Sequence, residues 1–320
     1  MTVHDFINLN SKKTIWLMVL FSVSLMIMTY IAILLTSMII IHDSNQSYSS
    51  IANKTAIEIL PFALIISILW IFINYFIGQK FILSTTKSFE LTAKNAPEIM
   101  HIVKNVAVAA GLSMPKVYVI NDSALNAFAT GRNPKHSCIA LTKGIIDKLD
   151  RKELEGVIAH EIAHIKNKDT KLMLITITCI GFATIISELL LHRTLTFRTK
   201  NSKNNSIQLL LFSFAIIFYI YGYLLAPLIK LALSRTREFQ ADATAAIITQ
   251  NPQGLINALK KISSNPMVKQ LNNRKIISMI CIANPLLKKN QNSLFLKISG
   301  LFATHPTITD RIIALEAMKN

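Results

Sequence analysis

The sequence predicts a mainly α-helical membrane protein, with about four transmembrane helices and a folded domain that contains a small β-sheet. Of the 320 residues, 52% are hydrophobic and only 16% are charged, a composition too apolar for an ordinary soluble domain. Four segments are close to or above the ~20 apolar residues that cross a bilayer as a helix. They are Thr14–Ile41, Ala56–Gly78, Leu172–Leu191 and Ile207–Ile229.

The first apolar segment follows Lys12 and Lys13, an arrangement that also opens a secretory signal peptide. A signal peptide has an apolar core of about 7 to 15 residues that ends at small residues, whereas this segment continues to Ile41 without such a site. We therefore interpret it as a retained anchor. The positive-inside rule then predicts a cytoplasmic N-terminus and an external loop over His42–Thr55.

Two short β-prone runs follow the second apolar segment. Lys116–Ile120 and Ser137–Leu141 predict strands, and they bracket a loop that contains Asn126 and Gly131. We assign the small sheet to these strands and expect the rest of this domain to be mostly helical.

The run HEIAH over His160–His164, set in the apolar stretch Leu154–Ile165, matches the H-E-x-x-H signature of zinc peptidases. Residues four apart share a helix face, so both imidazoles can reach one cation. Glu161 points toward the same site from outside the ligand set, where it can act as a general base on a water molecule. The alternative is a helix with a salt-bridged polar face.

A catalytic zinc usually has three protein ligands and keeps a fourth position for water, so a third ligand is required elsewhere. The segment Ser234–Asp242 offers Glu238 and Asp242, four residues apart on one helix face. Glu238 is the candidate ligand, and Asp242 is the candidate acceptor for the far N–H of a ligating imidazole. Alternatively, Arg235 and Arg237 form ordinary ion pairs with these carboxylates on a solvated face.

The third and fourth apolar segments lie between His164 and Glu238, so an even number of crossings is needed to return both residues to one side. The loop between these segments is too basic for an external loop. Its cations are Arg193, Arg198, Lys200 and Lys203. Either this hairpin crosses despite the charge, or it lies partly within the membrane and packs on the catalytic domain.

This pattern predicts four parts of the chain and an active site at the cytoplasmic surface of the membrane. The parts are an N-terminal anchor with two transmembrane helices (1–80), the first part of the catalytic domain (81–171), a transmembrane or membrane-embedded hairpin (172–229) and the second part of the catalytic domain (230–320).

Four segments of the chain carry recognisable motifs. They are Asn126–Gly131, His160–His164 with Asn167 and Asp169, Ser234–Asp242, and Thr304–Pro306 with Arg311. Together they resemble the HtpX family of bacterial membrane-bound zinc proteases, which is related to the CAAX prenyl proteases. The resemblance covers nearly the whole chain. It implies a gluzincin-type catalytic fold, one zinc ion bound by His160, His164 and Glu238, and Glu161 as the base. The family usually has a second proline after His-Pro, where this chain has Thr307.

Two further residues have two candidate roles each. In zinc peptidases an extended substrate commonly adds to an exposed strand edge, and the resemblance implies that a strand here serves that role. Asn126 either holds the substrate backbone or caps a turn. His305, in a Thr-His-Pro turn, either donates a hydrogen bond to the oxyanion or caps the helix that starts near Thr307.

The net charge of +17 raises the question of nucleic-acid binding. The cations are spread along stretches beside the apolar segments, with no dense basic helix and no aromatic-basic motif, so we expect no nucleic-acid partner. Cationic flanks of this kind are attracted to anionic lipid headgroups. The cysteines Cys138, Cys179 and Cys281 are isolated, which predicts reduced structural thiols.

The leading hypothesis is a zinc endopeptidase of the bacterial inner membrane that cuts unfolded or misassembled membrane proteins, a quality-control and stress-response activity implied by the resemblance. One alternative is a CAAX-type prenyl protease, for which more membrane spans are expected. Another is a non-catalytic membrane binding protein with a structural metal. A structural metal site needs no general base, so Glu161 would have no role in it. Zinc is inferred from ligand type, and another divalent metal is the alternative. No motif predicts an oligomeric state.

Overall fold

The structure is a computed structural model that describes residues 3–40, 48–196, 212–222, 235–263, 281–282 and 306–319. The chain forms two compact units. One contains Met1–Thr14, Tyr75–Leu174 and Lys230–Asn320, and the other contains Ile15–Asn74 and Ile175–Ile229. We call them the catalytic unit and the apolar unit. The four-part domain division from the sequence stays a prediction.

Long apolar helices account for the hydrophobic composition. Helices α1 (Val3–Ile40), α2 (Tyr48–Thr85) and α6 (Asp169–Thr196) each contain a stretch long and apolar enough to cross a membrane. A shorter apolar helix, α7, spans Phe212–Gly222. The first three predicted segments thus fall on long apolar helices. Most of the fourth lies outside the described residues, so a fourth crossing stays a prediction.

The apolar unit is held together by aromatic contacts and buried hydroxyl groups. Phe182 meets Phe21 and Trp70 edge to face, with ring centroids 5.7 and 5.1 Å away. Such pairs add about 0.5–1.5 kcal/mol to the burial of their area. The Tyr221 hydroxyl lies 2.5 Å from Ser24 Oγ, so neither group is buried without a hydrogen bond.

A four-stranded mixed sheet lies in the catalytic unit. Its strands are β1 (Phe89–Leu91), β2 (Lys116–Ile120), β3 (Ala127–Gly131) and β4 (Ser137–Thr142), in the order β1-β2-β4-β3. Pairing is antiparallel for β1 with β2 and for β3 with β4, and parallel for β2 with β4.

The predicted strands are present as β2 and β4, but the prediction of a loop between them is wrong for residues 127–131, which form β3 at the edge of the sheet. Its sequence AFATG combines two residues that favour strands, Phe128 and Thr130, with Ala and Gly, which do not, and its pairing with β4 makes it a strand. Gly131 ends it where a Cβ would meet the carbonyl oxygen of His136 at 2.5 Å.

Helix α5 (Arg151–Lys166) is the central element of the catalytic unit. Asp150 and Glu153 begin it with a reciprocal capping box. From Gly156 to Ile165 every residue is buried, because α5 packs against the sheet and several helices. These include α3 (Pro97–Ala109), α8 (Arg235–Thr249) and α9 (Pro252–Ile262).

Two further helices complete the described part of this unit. Helix α4 (Lys143–Lys148) follows β4, with Thr142 as its N-cap. Helix α10 (Ile308–Glu316) packs on α8 and α9 and begins after Thr307, whose Oγ1 accepts a hydrogen bond from the Asp310 N–H at 3.1 Å.

Candidate metal centre and active site

His160 and His164 lie on one face of α5, and both side chains are buried. Their four-residue spacing places the two rings on successive turns, nearly perpendicular to each other, with the Nε2 atoms 3.2 Å apart. This distance fits a hydrogen bond between the rings, and it also fits two ligands of one metal ion. The position of the third candidate ligand, Glu238, favours the metal site.

Glu238, in the first turn of α8, directs its carboxylate at both rings. Its Oε2 lies 3.7 Å from His160 Nε2, and its Oε1 lies 3.7 Å from His164 Nε2. Zinc bonds of about 2.0–2.1 Å at tetrahedral angles place ligand atoms about 3.3 Å apart. The three side chains therefore fit a tetrahedral cation, and their ligand atoms all lie within 4.8 Å of one another.

The other ring nitrogen of each histidine faces a buried carboxylate. His160 Nδ1 lies 2.9 Å from Asp242 Oδ1, and His164 Nδ1 lies 3.0 Å from Asp169 Oδ2. A carboxylate in this position accepts the Nδ1–H and leaves the Nε2 lone pair for a metal. Both rings are thus oriented as a metal site requires.

Each of these carboxylates is in turn held by a buried arginine. Arg311, from α10, donates to both oxygens of Asp242, with Nε and Nη2 at 2.8 and 2.7 Å. Arg237, on α8, donates from Nη1 to Asp169 Oδ1 at 3.3 Å. Arg311 Nη1 also lies 3.5 Å from Glu238 Oε2, so its positive charge faces the third candidate ligand as well.

These charges move the pKa values of the two histidines in opposite directions. Burial and the neighbouring Arg311 lower the pKa of His160 to about 4. Burial also lowers the pKa of His164, but the hydrogen bond that the ring donates to Asp169 and the charge of Glu238 outweigh it and raise the value to about 9. A ligating imidazole must be neutral, so a metal ion held here would require both rings in the neutral form.

Glu161 is buried beside this group, and its carboxyl accepts a main-chain hydrogen bond from Ala129 in β3. Burial raises the pKa of Glu161 to about 7, with His164 and Arg311 acting against that rise. A carboxylate whose pKa lies near neutrality can both accept and return a proton. The hydrogen bond from Ala129 thus connects the candidate base, Glu161, to the edge strand β3.

The two remaining predicted site residues are Asn126 and His305. Asn126 immediately precedes β3 and is buried, and its Oδ1 accepts a hydrogen bond from the Ala127 N–H at 3.0 Å. Its main-chain carbonyl accepts from Thr142 Oγ1 at 2.9 Å, which ties the start of β3 to the end of β4. His305 lies outside the residues that the structure describes.

Two residues without a role predicted from the sequence lie directly behind the candidate ligands. Asp169 and Arg311 entered only as matches to the family pattern, yet they complete the support of His164 and His160. A local signal existed for Asp169, which lies five residues after His164 at a helix start. None existed for Arg311, whose partner Asp242 is 69 residues away.

A histidine pair and a glutamate converging on one point, with a second glutamate beside them, are typical of a metallopeptidase. Residues 93–319 match Peptidase family M48. The chain belongs to this family. The resemblance drawn from the sequence is thereby confirmed, and the protein is a membrane metalloprotease.

Two curated relatives agree with this assignment. The chain is 36% identical over 312 residues to a protein from Bacteroides fragilis (strain YCH46) named Protease HtpX homolog, covering 96% of each chain. A protein of the same name from Dictyoglomus thermophilum is 39% identical over 266 residues, covering 82% of this chain and 84% of that one. The crystal structure of S. mikatae Ste24p is similar with a TM-score of 0.47 and 21% identity, over 81% of this chain and 57% of that chain.

Proposed function

We propose that this protein is a zinc-dependent endopeptidase that hydrolyses unfolded or misassembled membrane proteins at the cytoplasmic face of a bacterial inner membrane. The observation that carries the proposal is the convergence of His160, His164 and Glu238 at tetrahedral spacing, with Glu161 buried beside them. A purely structural metal site has no use for this fourth side chain.

In this proposal His160, His164 and Glu238 hold the metal, and Asp242 and Asp169 orient the two rings. Three protein ligands of mixed nitrogen and oxygen type match catalytic zinc sites. When bound, a zinc ion supplies Lewis acidity that activates a water molecule and polarises the peptide carbonyl. The carboxylates behind the rings keep each imidazole in the tautomer that presents Nε2.

Glu161 takes the proton from the attacking water and returns it to the leaving amine. Its raised pKa suits both transfers, because a group that titrates near neutral pH is a competent base and a competent acid.

The edge strand β3 is the proposed docking site for an extended substrate segment. A segment that adds to a strand edge is bound through main-chain hydrogen bonds, which give affinity with little sequence preference. Low preference suits an enzyme that removes unfolded proteins. The Ile282 N–H already donates to the Ala127 carbonyl at 2.9 Å, which leaves the Ala129–Gly131 end, beside Glu161, for the substrate. All five residues of β3 are buried in this structure, so docking there requires this edge to open.

The apolar helices and the bacterial origin of the relatives support the proposed location in a bacterial inner membrane. Lys12 and Lys13 at the start of α1 favour a cytoplasmic N-terminus. The segment Met1–Thr14 belongs to the same compact unit as the candidate active site. Both are therefore proposed to lie at the cytoplasmic surface of a multi-pass protein.

The test is cleavage of an unfolded model protein by the purified, detergent-solubilised full chain with added zinc, beside Glu161→Gln and Glu155→Gln. Glu155 lies on the same helix and is partly exposed, so its variant controls for loss of a carboxylate from α5. We expect cleavage by the parent and by Glu155→Gln only. Zinc binding by the parent without cleavage would contradict the proposed substrate class, and cleavage of a farnesylated peptide instead would identify a prenyl protease.

A further inference from the structure

Asn10 places an amide from the first apolar helix next to the residues behind the metal centre. It lies in the first third of α1, within the part of that helix that belongs to the catalytic unit, and only 5% of it is exposed. Its Nδ2 donates to the carbonyl of Asn167 at 2.8 Å and to Asp169 Oδ1 at 2.8 Å. Both N–H groups of the amide are therefore used.

These two acceptors lie at the junction between the catalytic helix α5 and helix α6. Asn167 is the C-cap of α5, and Asp169 is the first residue of α6. Lys168 joins them with a φ of 59°, a conformation that is unfavourable for a lysine. This turn brings the Asp169 carboxylate back toward α5. The Asn10 amide donates one hydrogen bond to each of the two residues that flank Lys168.

The same carboxylate leads directly to the metal centre. Asp169 Oδ1 receives hydrogen bonds from Asn10 and from Arg237, while Oδ2 lies 3.0 Å from His164 Nδ1. Two donors on one oxygen fix the plane of the carboxylate. A fixed plane sets the direction of the other oxygen, and thus the orientation of the His164 ring.

We propose that Asn10 is a positioning residue of the metal centre, so that the first apolar helix forms part of the catalytic machinery as well as a membrane anchor. This inference rests on the proposed function, because it takes His164 to be a metal ligand. Its consequence is that the site is complete only when the start of α1 is seated against the α5–α6 junction.

The purely structural alternative is that the Asn10 amide only anchors α1. A buried amide in an apolar helix is costly unless both of its N–H groups are bonded, so anchoring alone would also explain the contacts. The two roles differ in what they change. Anchoring affects thermal stability, whereas positioning affects metal affinity, the metal's spectrum and kcat.

The experiment compares Asn10→Ala with Asn8→Ala in the full-length protein. Asn8 has the same side chain, lies on the same helix and is exposed. The zinc dissociation constant is measured by chelator competition, and the absorption spectrum is recorded for the cobalt-loaded protein. We expect Asn10→Ala to bind zinc about 10-fold more weakly, at the low end of the usual effect of such supporting groups. We also expect an altered cobalt spectrum and a lower kcat at unchanged KM, with Asn8→Ala like the parent.

Asn10→Leu is the second variant, because leucine has the same branched shape without the two donors. We expect the same losses from it, which separates the missing hydrogen bonds from a packing defect left by the smaller alanine. Parental zinc affinity, cobalt spectrum and kcat in a folded Asn10 variant would overturn the inference, even if its melting temperature fell. That result is distinct from failure of the proposed function, in which the parent itself would bind no metal at His160, His164 and Glu238.

Discussion

The Arg311 guanidinium forms a two-pronged hydrogen bond with the Asp242 carboxylate, with donor–acceptor distances of 2.8 and 2.7 Å, and only 1% of each residue is exposed. Burial raises the pKa of Asp242, but Arg311 and His160 outweigh it and hold that pKa below its usual value. The pair thus keeps a negative charge in the core, where it accepts the N–H of a candidate metal ligand.

Removal of Arg311 therefore leaves a buried carboxylate without its main counter-charge. We expect Arg311→Met to lower the free energy of unfolding by about 3–5 kcal/mol, the usual result of breaking a buried pair. Arg311→Lys keeps the charge but not the planar fork, so it should recover only part of this loss. Thermal melting in detergent measures both, with the exposed Arg151→Met as control. Equal melting of Arg311→Met and the control would contradict the role of the pair.

Variants of the candidate ligands and a variant of the candidate base should differ in how much metal they retain. We expect His160→Ala and Glu238→Ala to lose both metal and activity, because each removes a ligand atom. Glu161→Gln should keep the metal and lose activity, because the amide cannot accept the proton of the attacking water. Metal content after gel filtration, measured beside cleavage, distinguishes these classes. Full zinc occupancy in Glu238→Ala would refute its assignment as a ligand.

Gly156 allows α5 to approach α9 closely. A Cβ at this position would lie 2.7 Å from the Leu255 main-chain nitrogen, and backbone cannot rotate away as a side chain can. We expect Gly156→Ala to destabilise the protein by about 1–3 kcal/mol, the usual cost of overpacking. The control is Gly181→Ala, also within a helix, where a Cβ would meet nothing within 4 Å. A melting temperature for Gly156→Ala at or above that of the control would contradict this expectation.

Features of the fold that depend on local sequence could be predicted. The long apolar helices follow from composition and length alone. The histidine pair shares a helix face because its spacing is fixed along a single helix. Strand β3 could not be predicted in this way, since AFATG becomes a strand only through its partner β4.

The contacts behind the candidate ligands could not be predicted for a related reason. Asn10 and Asp169 are 159 residues apart in sequence, and Arg311 and Asp242 are 69 residues apart. Nothing in the spacing of either pair indicates that they meet. Their contacts depend on how whole helices pack, which a single sequence does not display.

The cysteines provide a last prediction, based on burial. Burial raises the pKa of the Cys138 thiol to about 12 and raises that of Cys281 well above its ordinary value. At pH 8 only about one Cys138 thiol in ten thousand is then ionised, against about one in four for an exposed thiol. Because the thiolate is the reactive form, we expect both residues to resist alkylation in the folded protein and to react rapidly after denaturation.

The measurement is the rate of maleimide labelling at pH 8 in a Cys179→Ala background, with and without denaturant. Single variants Cys138→Ala and Cys281→Ala assign the signal to one thiol. Ionisation rises with pH toward the raised pKa, so labelling of folded protein should accelerate as the pH increases from 8 to 10. Rapid labelling of the folded protein at pH 8 would show that the thiol is accessible and ionised, contrary to its burial in the catalytic unit.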